Sequence, residues 1–265
     1  MSKNNPLILV TGAKGQLGKT LQEVALEEKA FVWVFCDKSM LDICDPMAIQ
    51  MAFMQYKPDY CINLAAFTNV KQAEEKPLMA KRVNVAGVQQ LVDTCNQHKT
   101  CLLHLSTDYV FDGKQAHPYL ESDATNPINV YGKTKAEGEQ IVLSQAQKGY
   151  VIRTAWLYAT THGHNFYRSV LSKAKAGESL SVVNDQEGSP TTTLQLALFL
   201  IQIVKKAPAY GLYHCAGKQI LSWYDFAKQI LIEHQLKLSI KAIPSSNDGV
   251  QRPRFSALGT EKSIE

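Results

Sequence analysis

The segment "NVYGKTKAEGEQ" (129–140) holds a tyrosine, Tyr131, and a lysine, Lys135, four residues apart in a stretch that reads as a helix. Residues at that spacing share one helix face. A phenol titrates near pH ~10 in water, too high for proton transfer at neutral pH. A neighbouring ammonium favours the phenolate and should draw that value down. On the spacing alone a solvated helix face is the stronger reading, since such pairs are frequent by chance. A second group changes the balance. In "CLLHLSTDYVF", Ser106 and Thr107 close an apolar strand candidate. Ligands of open α/β sheets bind at the carboxyl ends of the strands, where a hydroxyl can hydrogen-bond a carbonyl.

A third feature supplies a place for a cofactor. "ILVTGAKGQLGKTL" follows the first strand candidate and opens the first helix, with Gly12, Gly15 and Gly18 spaced G-x-x-G-x-x-G. One glycine permits a tight turn and another lets backbone approach a pyrophosphate. The helix N-terminus offers free N–H groups and a positive dipole end. This differs by one turn residue from the dinucleotide fingerprint, but the strand–loop–helix context is the expected one. Asp37 ends the second strand candidate and can accept hydrogen bonds from an adenosine ribose, which favours NADH. Lys38 follows at once and could meet a 2′-phosphate, so NADH and NADPH both stay open. Asp42 fits a place near the adenine or the start of a helix equally well. With a nicotinamide cofactor in view, Lys135 gains a second task, holding the nicotinamide ribose, and the Tyr131–Lys135 pair reads as proton chemistry.

These residues need a frame. Strand candidates lie at 7–11, 30–36, 59–66, 101–106 and 150–156, and helix candidates at about 16–29, 46–56, 78–98 and 131–147. The apolar runs are nearly continuous, as in strands buried on both faces of a parallel sheet. Strand–helix alternation means right-handed crossovers. The expected fold class is therefore α/β, a Rossmann-like doubly wound parallel sheet with a smaller C-terminal substrate-binding lobe. Residues 1–157 form the dinucleotide-binding domain, and 190–216 return to it through a helix (191–205) and a strand (211–216). Residues 158–189 and 217–265 form the lobe. Its segments "THGHN" and "NDQEGSPTTT" read as polar turns, Ser222 as the N-cap of a helix over 222–234, and the tail from 244 as a loop.

Bulk properties exclude other classes. The net charge of +4 is spread without a basic run, which gives nucleic-acid or membrane binding no support. The longest apolar stretch, "LALFLIQIV" (196–204), is far too short to span a bilayer. The N-terminus lacks a signal-peptide layout. The six cysteines and seven histidines show no metal-ligand spacing. Buried, reduced thiols imply a cytoplasmic protein.

The chain resembles the extended short-chain dehydrogenase/reductases, and within them the dTDP-4-dehydrorhamnose reductase family. The resemblance runs from about 7 to 259 and rests on "TGAKGQLG", "PDYCINLAAFTNV", "STDYVFDG", "NPINVYGKTKAEGE", "RTAWLY", "VVNDQEGSPT", "SWYDFA" and "RPRFSAL". It implies an NAD(P)H-dependent reduction of a nucleotide-linked 4-keto sugar, dTDP-4-dehydro-6-deoxy-L-mannose. It makes Tyr131 the proton donor, Lys135 its tuner and ribose ligand, and Thr107 the partner of the ketone oxygen. Asn84, in "RVNVAG", matches a helix asparagine that anchors the lysine through water. Gln16, Leu17, Ile43, Leu64, Ala65 and Ala66 join the glycines as cofactor-lining positions. Asp108, Trp156, Gln186, Arg252 and Ser256 fall in motifs facing the substrate, Arg252 with a guanidinium fork suited to a diphosphate.

The chain also departs from the family. Lys71 stands where an aspartate is usual, and His164 replaces an asparagine. Acidic residues that bind magnesium between subunits in some relatives correspond to Thr20 and Leu194, so no metal is expected. A homodimer is the assembly the resemblance allows. Relatives carry a further helix after the "RPxxS" segment, whereas this chain stops at Glu265, so a naturally short version and a truncated one both stay open. Two other readings compete. The 4,6-dehydratases carry an Asp-Glu pair after the strand-end threonine, whereas Asp108 is followed by Tyr109. The regulatory subunit of methionine adenosyltransferase is similar but non-catalytic.

Overall fold

The computed structural model of the chain describes residues 5–246 and 248–264. Its first half runs β1 (Leu7–Thr11), α1 (Gln16–Glu27), β2 (Val32–Phe35), α2 (Pro46–Tyr56), β3 (Tyr60–Asn63), α3 (Val70–Glu75), α4 (Pro77–Lys81), a π-helical turn (Arg82–Ala86), α5 (Gly87–His98), β4 (Cys101–Thr107), α6 (Val130–Gln145) and β5 (Gly149–Thr154). The second half holds β6 (Leu157–Tyr158), α7 (Phe166–Lys175), β7 (Leu180–Val183), β8 (Glu187–Gly188), β9 (Thr191–Thr192), α8 (Thr193–Lys206), β10 (Gly211–His214), β11 (Leu221–Ser222), α9 (Trp223–Glu233) and β12 (Ile240–Ile243).

The main sheet has six strands in the order β10-β5-β4-β3-β1-β2. Every pairing in it is parallel. Alternation along each strand divides its apolar residues between two cores. Ile8, Val10, Ile62, Leu103 and Ile152 pack with Leu21 of α1 and Leu196, Leu200 and Val204 of α8. Leu9, Cys61, Leu102 and Val151 pack on the opposite face with Phe53, Leu91 and Val142 of α2, α5 and α6. Fully burying a side chain of this kind stabilises by about 1.5–3 kcal/mol, so the two layers fix the strand ends firmly. All of the site chemistry hangs from those ends.

Local signals explain most helix starts. Asp45 caps α2 ahead of Pro46, with its carboxylate accepting from Met47 N–H and Ala48 N–H. Asn129 caps α6 by accepting from Gly132 N–H at 2.8 Å. Ser222 caps α9 as expected, accepting from Asp225 N–H at 3.0 Å.

Two expectations need correction. The single helix expected over 78–98 is divided: α4 begins at Pro77, and the π-helical turn offsets it from α5. Between the polar turns read at 161–165 and 184–193, where no element is expected, the chain forms α7 and β7. The cap here is Asn165, which accepts from Arg168 N–H at 3.0 Å. Tyr167, Val170, Leu180 and Val182 then form a separate small core with Phe226 and Ile230 of α9. β12 extends this unit by pairing in parallel with β7. The segment 190–216 does reach the main sheet: β10 pairs in parallel with β5. Thr20 of α1 donates to Thr193 of α8 at 2.8 Å, and Leu194 beside it is half exposed. No helix among the described residues is long and apolar enough to cross a membrane, and they contain no His/Cys/Asp/Glu group able to hold a metal. The six cysteines are free thiols.

Candidate active site

A cavity of about 670 Å³ opens along the carboxyl ends of β1, β3, β4 and β5. Its wall takes in Gly12, Gly15, Gln16, Leu17 and Gly18, then Lys38, Asp42 and Ile43, then Leu64, Ala65 and Ala66, and finally Thr107, Asp108, Tyr131, Lys135 and Trp156. The glycine positions are made for close approach. Gly12 has φ +66, and a Cβ there would stand 2.7 Å from Ala65 N. A Cβ on Gly18 would stand 2.5 Å from Ala13 O. No side chain caps α1 at Gly15, which leaves its first-turn N–H groups for a ligand. The loop thus fits a dinucleotide pyrophosphate, with Gln16 tying it to the lobe: its amide donates to Leu157 O at 3.0 Å and accepts from Asn165 at 3.0 Å.

Asp37 does not reach this wall. Its carboxylate is ion-paired with Lys14 and accepts from Ser39 N–H at 2.7 Å, and the Lys14 ammonium holds it well below the usual carboxylate range. Lys38 faces the cavity, 3.7 Å from Asp42.

Two segments, the end of β4 and the start of α6, bring hydroxyl, phenol and amine together. Gly132 lets the first turn of α6 lie on the turn after β4; a Cβ there would stand 2.1 Å from Tyr109 O. Tyr131 therefore meets the end of β4, on the same cavity wall as the Thr107 hydroxyl. Its ring also packs edge-on to Tyr109, with centroids 5.8 Å apart. Burial pushes the Tyr131 phenol up to about 12, against the Thr107 hydroxyl, and Asp108 adds to the rise. The expected lowering by Lys135 is overridden: desolvation of a phenolate outweighs a lysine whose amine is engaged elsewhere. The phenol stays protonated at neutral pH, which suits a proton donor.

The Lys135 amine donates to Leu105 O at 2.5 Å and lies 3.3 Å from His104 Nε2. Burial lowers it to about 8, opposed by Glu139 one turn along the helix. Asn84 lies at the π-helical turn, and its polar atoms serve the backbone: Oδ1 accepts from Phe67 N–H at 2.8 Å, and Nδ2 donates to Phe67 O and the Thr134 hydroxyl at 3.1 Å each. Asn84 thus positions the chain after β3 and the middle of α6.

The substrate-side residues divide. Trp156 has a left-handed backbone (φ +46), a costly state for a bulky residue, and lines the cavity. Its indole stacks on Trp223 with centroids 3.5 Å apart. A Cβ on Gly188 would stand 2.4 Å from the Trp156 ring, so only glycine admits it. Asp108 is buried, and desolvation raises its carboxyl to about 7 against the Ser256 and Thr107 hydroxyls. Ser256 is buried and is not on the wall. Arg252 and Gln186 are not on the wall. Arg252 forms a two-point pair with Asp248 at 2.8 and 2.9 Å, and Gln186 donates to Ser245 at 2.7 Å. Lys71 is exposed on α3, beside the wall residue Val70, and His164 is exposed ahead of α7.

The sequence reading missed Phe67, Thr68, Val83 and Tyr109 on the wall, and Trp223 behind Trp156. It also passed over His104 and Asn63, single polar residues within apolar strands.

The family model described as "RmlD substrate binding domain" matches residues 6–265. The chain is 40% identical over 245 residues to a dTDP-4-dehydrorhamnose reductase of Aggregatibacter actinomycetemcomitans, covering 91% of this chain and 83% of that protein. It is 37% identical over 257 residues to a dTDP-4-keto-6-deoxy-D-glucose reductase of Streptomyces niveus, covering 95% of this chain and 88% of that one. The crystal structure of dTDP-4-dehydrorhamnose reductase from Bacillus anthracis in complex with NADP superposes with a TM-score of 0.92 at 33% identity, covering 97% of this chain and 91% of that one.

Proposed function

The chain belongs to the RmlD substrate binding domain family, and from that premise we propose that it is an oxidoreductase that reduces the C4 ketone of dTDP-4-dehydrorhamnose to give dTDP-L-rhamnose. The cofactor is NADPH or NADH, which when bound supplies the hydride to the ketone carbon. The observation that carries this reading is the meeting of Thr107, Tyr131 and Lys135 in the cavity that the glycine loop also walls.

Each residue's task follows from its place. The uncapped start of α1 and the bare faces of Gly12, Gly15 and Gly18 receive the pyrophosphate. Lys38, Asp42 and Ile43 line the adenosine end, and Leu64, Ala65 and Ala66 the middle. Lys38 supports a 2′-phosphate, since Asp37 is occupied by Lys14. Thr107 and Tyr131 donate hydrogen bonds to the ketone oxygen, so charge developing there meets preplaced donors. Tyr131 then gives its proton to the C4 oxygen, and Lys135 holds the cofactor ribose. Trp156 walls the sugar and Asp108 offers it a polar edge. Arg252 and Gln186 reach the nucleotide end by leaving Asp248 and Ser245. A homodimer is part of the proposal, supported by exposed Leu194 and Leu198 one turn apart on α8. So is a cytoplasmic location, supported by the free thiols.

The test is NADPH or NADH absorbance on addition of dTDP-, UDP- or GDP-linked 4-keto-6-deoxy sugars. Stoichiometric oxidation with the dTDP sugar is expected. No oxidation with any of them, together with a tightly copurifying protein partner, would favour a non-catalytic subunit instead.

A further inference from the structure

Behind Lys135 lies a row of buried polar residues that the reaction above does not use. Thr11, Asn63 and His104 are direct register partners on β1, β3 and β4. They point to the face that carries α5 and α6, and each is at most 1% exposed. The Thr11 hydroxyl donates to Asn63 Oδ1 at 2.7 Å. Asn63 Nδ2 meets His104 Nδ1 at 3.0 Å, and His104 Nε2 meets the Lys135 amine at 3.3 Å. A Cβ on Gly138 would come within 3.5 Å of His104 Nε2 and 2.5 Å of Asn84 O, so α6 is drawn onto the row.

The polarity of this row can be followed from one end. Ala65 N–H, a backbone donor that cannot reverse, lies 3.2 Å from Asn63 Oδ1 and 3.3 Å from the Thr11 hydroxyl. That donor and the Thr11 hydroxyl both aim at Oδ1, so the Asn63 amide must turn its N–H to His104. Nδ1 of His104 therefore accepts, and the imidazole carries its proton on Nε2, facing Lys135. An ammonium has no lone pair to receive that N–H, whereas a neutral amine has one, together with two N–H groups for Leu105 O and for the cavity.

We infer that the row Ala65–Asn63–His104 fixes the His104 proton on Nε2, so that His104 acts as a positioning residue that donates to Lys135 and holds it as a titratable amine rather than a permanent cation. The inference rests on the reading of Lys135 as the functional lysine. Burial and the neighbouring Lys135 push the His104 imidazole well below its usual range, consistent with a ring that never becomes charged. The titratable groups around Lys135 are His104 from β4, Glu139 and Tyr131 on its own helix, and Asp108 beyond Tyr131. Glu139 favours the charged amine, but its carboxylate is shared with Arg153 of β5. His104 is thus the group that opposes the charge at closest range.

The test reads the tautomer without turnover. In full-length wild-type protein labelled with nitrogen-15 at histidine, His104 (assigned by its loss in His104→Gln) is expected to show a protonated Nε2 and a bare Nδ1 from about pH 6 to about pH 9. Asn63→Asp replaces the amide donor by a carboxylate acceptor and is expected to move the proton to Nδ1. It also adds a buried charge, so the tautomer, not the rate, is its decisive readout. In His104→Gln the Lys135 amine gains an acceptor. The high-pH fall in kcat/KM is then expected to move up by about one pH unit, a tenfold change in proton affinity. A wild-type His104 protonated on Nδ1, or on both nitrogens, overturns the inference even if the reductase assay succeeds. The expected tautomer in a protein without reductase activity would leave the row standing and sink only the functional reading.

Discussion

Tyr131→Phe lowers turnover by roughly two to four orders of magnitude while cofactor affinity is nearly kept. The phenol stands beside Thr107 on the cavity wall and stays protonated at neutral pH, because burial pushes it up to about 12. Phenylalanine fills the same space against Tyr109 and removes only the hydroxyl. The glycine loop and Lys135 are untouched, so NADPH binding, followed by fluorescence titration, stays within a few-fold. Turnover comes from single-turnover absorbance at saturating substrate. Equal turnover in the variant and the parent would mean that the proton comes from elsewhere.

The second large effect is on stability. Arg153→Met destabilises the fold by about 3–5 kcal/mol, the usual consequence of leaving a buried charge without its partner. Arg153 of β5 and Glu139 of α6 form a two-point ion pair at 2.7 and 2.9 Å, with exposures of 3% and 0%. The guanidinium also faces the Phe111 ring at 5.0 Å and lies 3.4 Å from His214 Nε2. Desolvating two ions is expensive, so the pair itself need not be a net gain. Removing one member is costly because the other cannot be resolvated. The double variant Arg153→Met with Glu139→Gln should therefore regain most of the loss. Denaturant midpoints of the three proteins decide this, and a single variant as stable as wild type would show that Glu139 is relieved by another route. Since Glu139 shares α6 with Tyr131 and Lys135, the pair also pins the functional helix to the sheet.

The sequence carried the frame well wherever a pattern was long. β1 and α2 fall at their expected residues because an apolar run and an Asp-Pro start bound them. The glycine loop was legible because its spacing sits between a strand and a helix. α7 was hidden because its cap, Asn165, lies in a run of polar residues that reads as a turn. The π-helical turn at Arg82–Ala86 has no sequence signature, and it carries Asn84 inward. Asn63 and His104 were each a lone polar residue in a strand. What they do together comes from register, a pairing between distant segments that no local pattern contains. The sign of the Tyr131 shift was missed for a similar reason: the helix face shows Lys135, but not the burial that outweighs it. Asp37 was placed by chain position alone, which does not reveal that Lys14 on the adjoining loop would claim it.

The most direct measurement follows the hydride. Cofactor carrying deuterium at the transferred position is incubated with the protein and dTDP-4-dehydrorhamnose, and the sugar product is examined by mass spectrometry and NMR. One deuterium bound to C4 for each cofactor oxidised is the expected result. Deuterium retained on the cofactor, or found at another carbon of the sugar, would contradict the account.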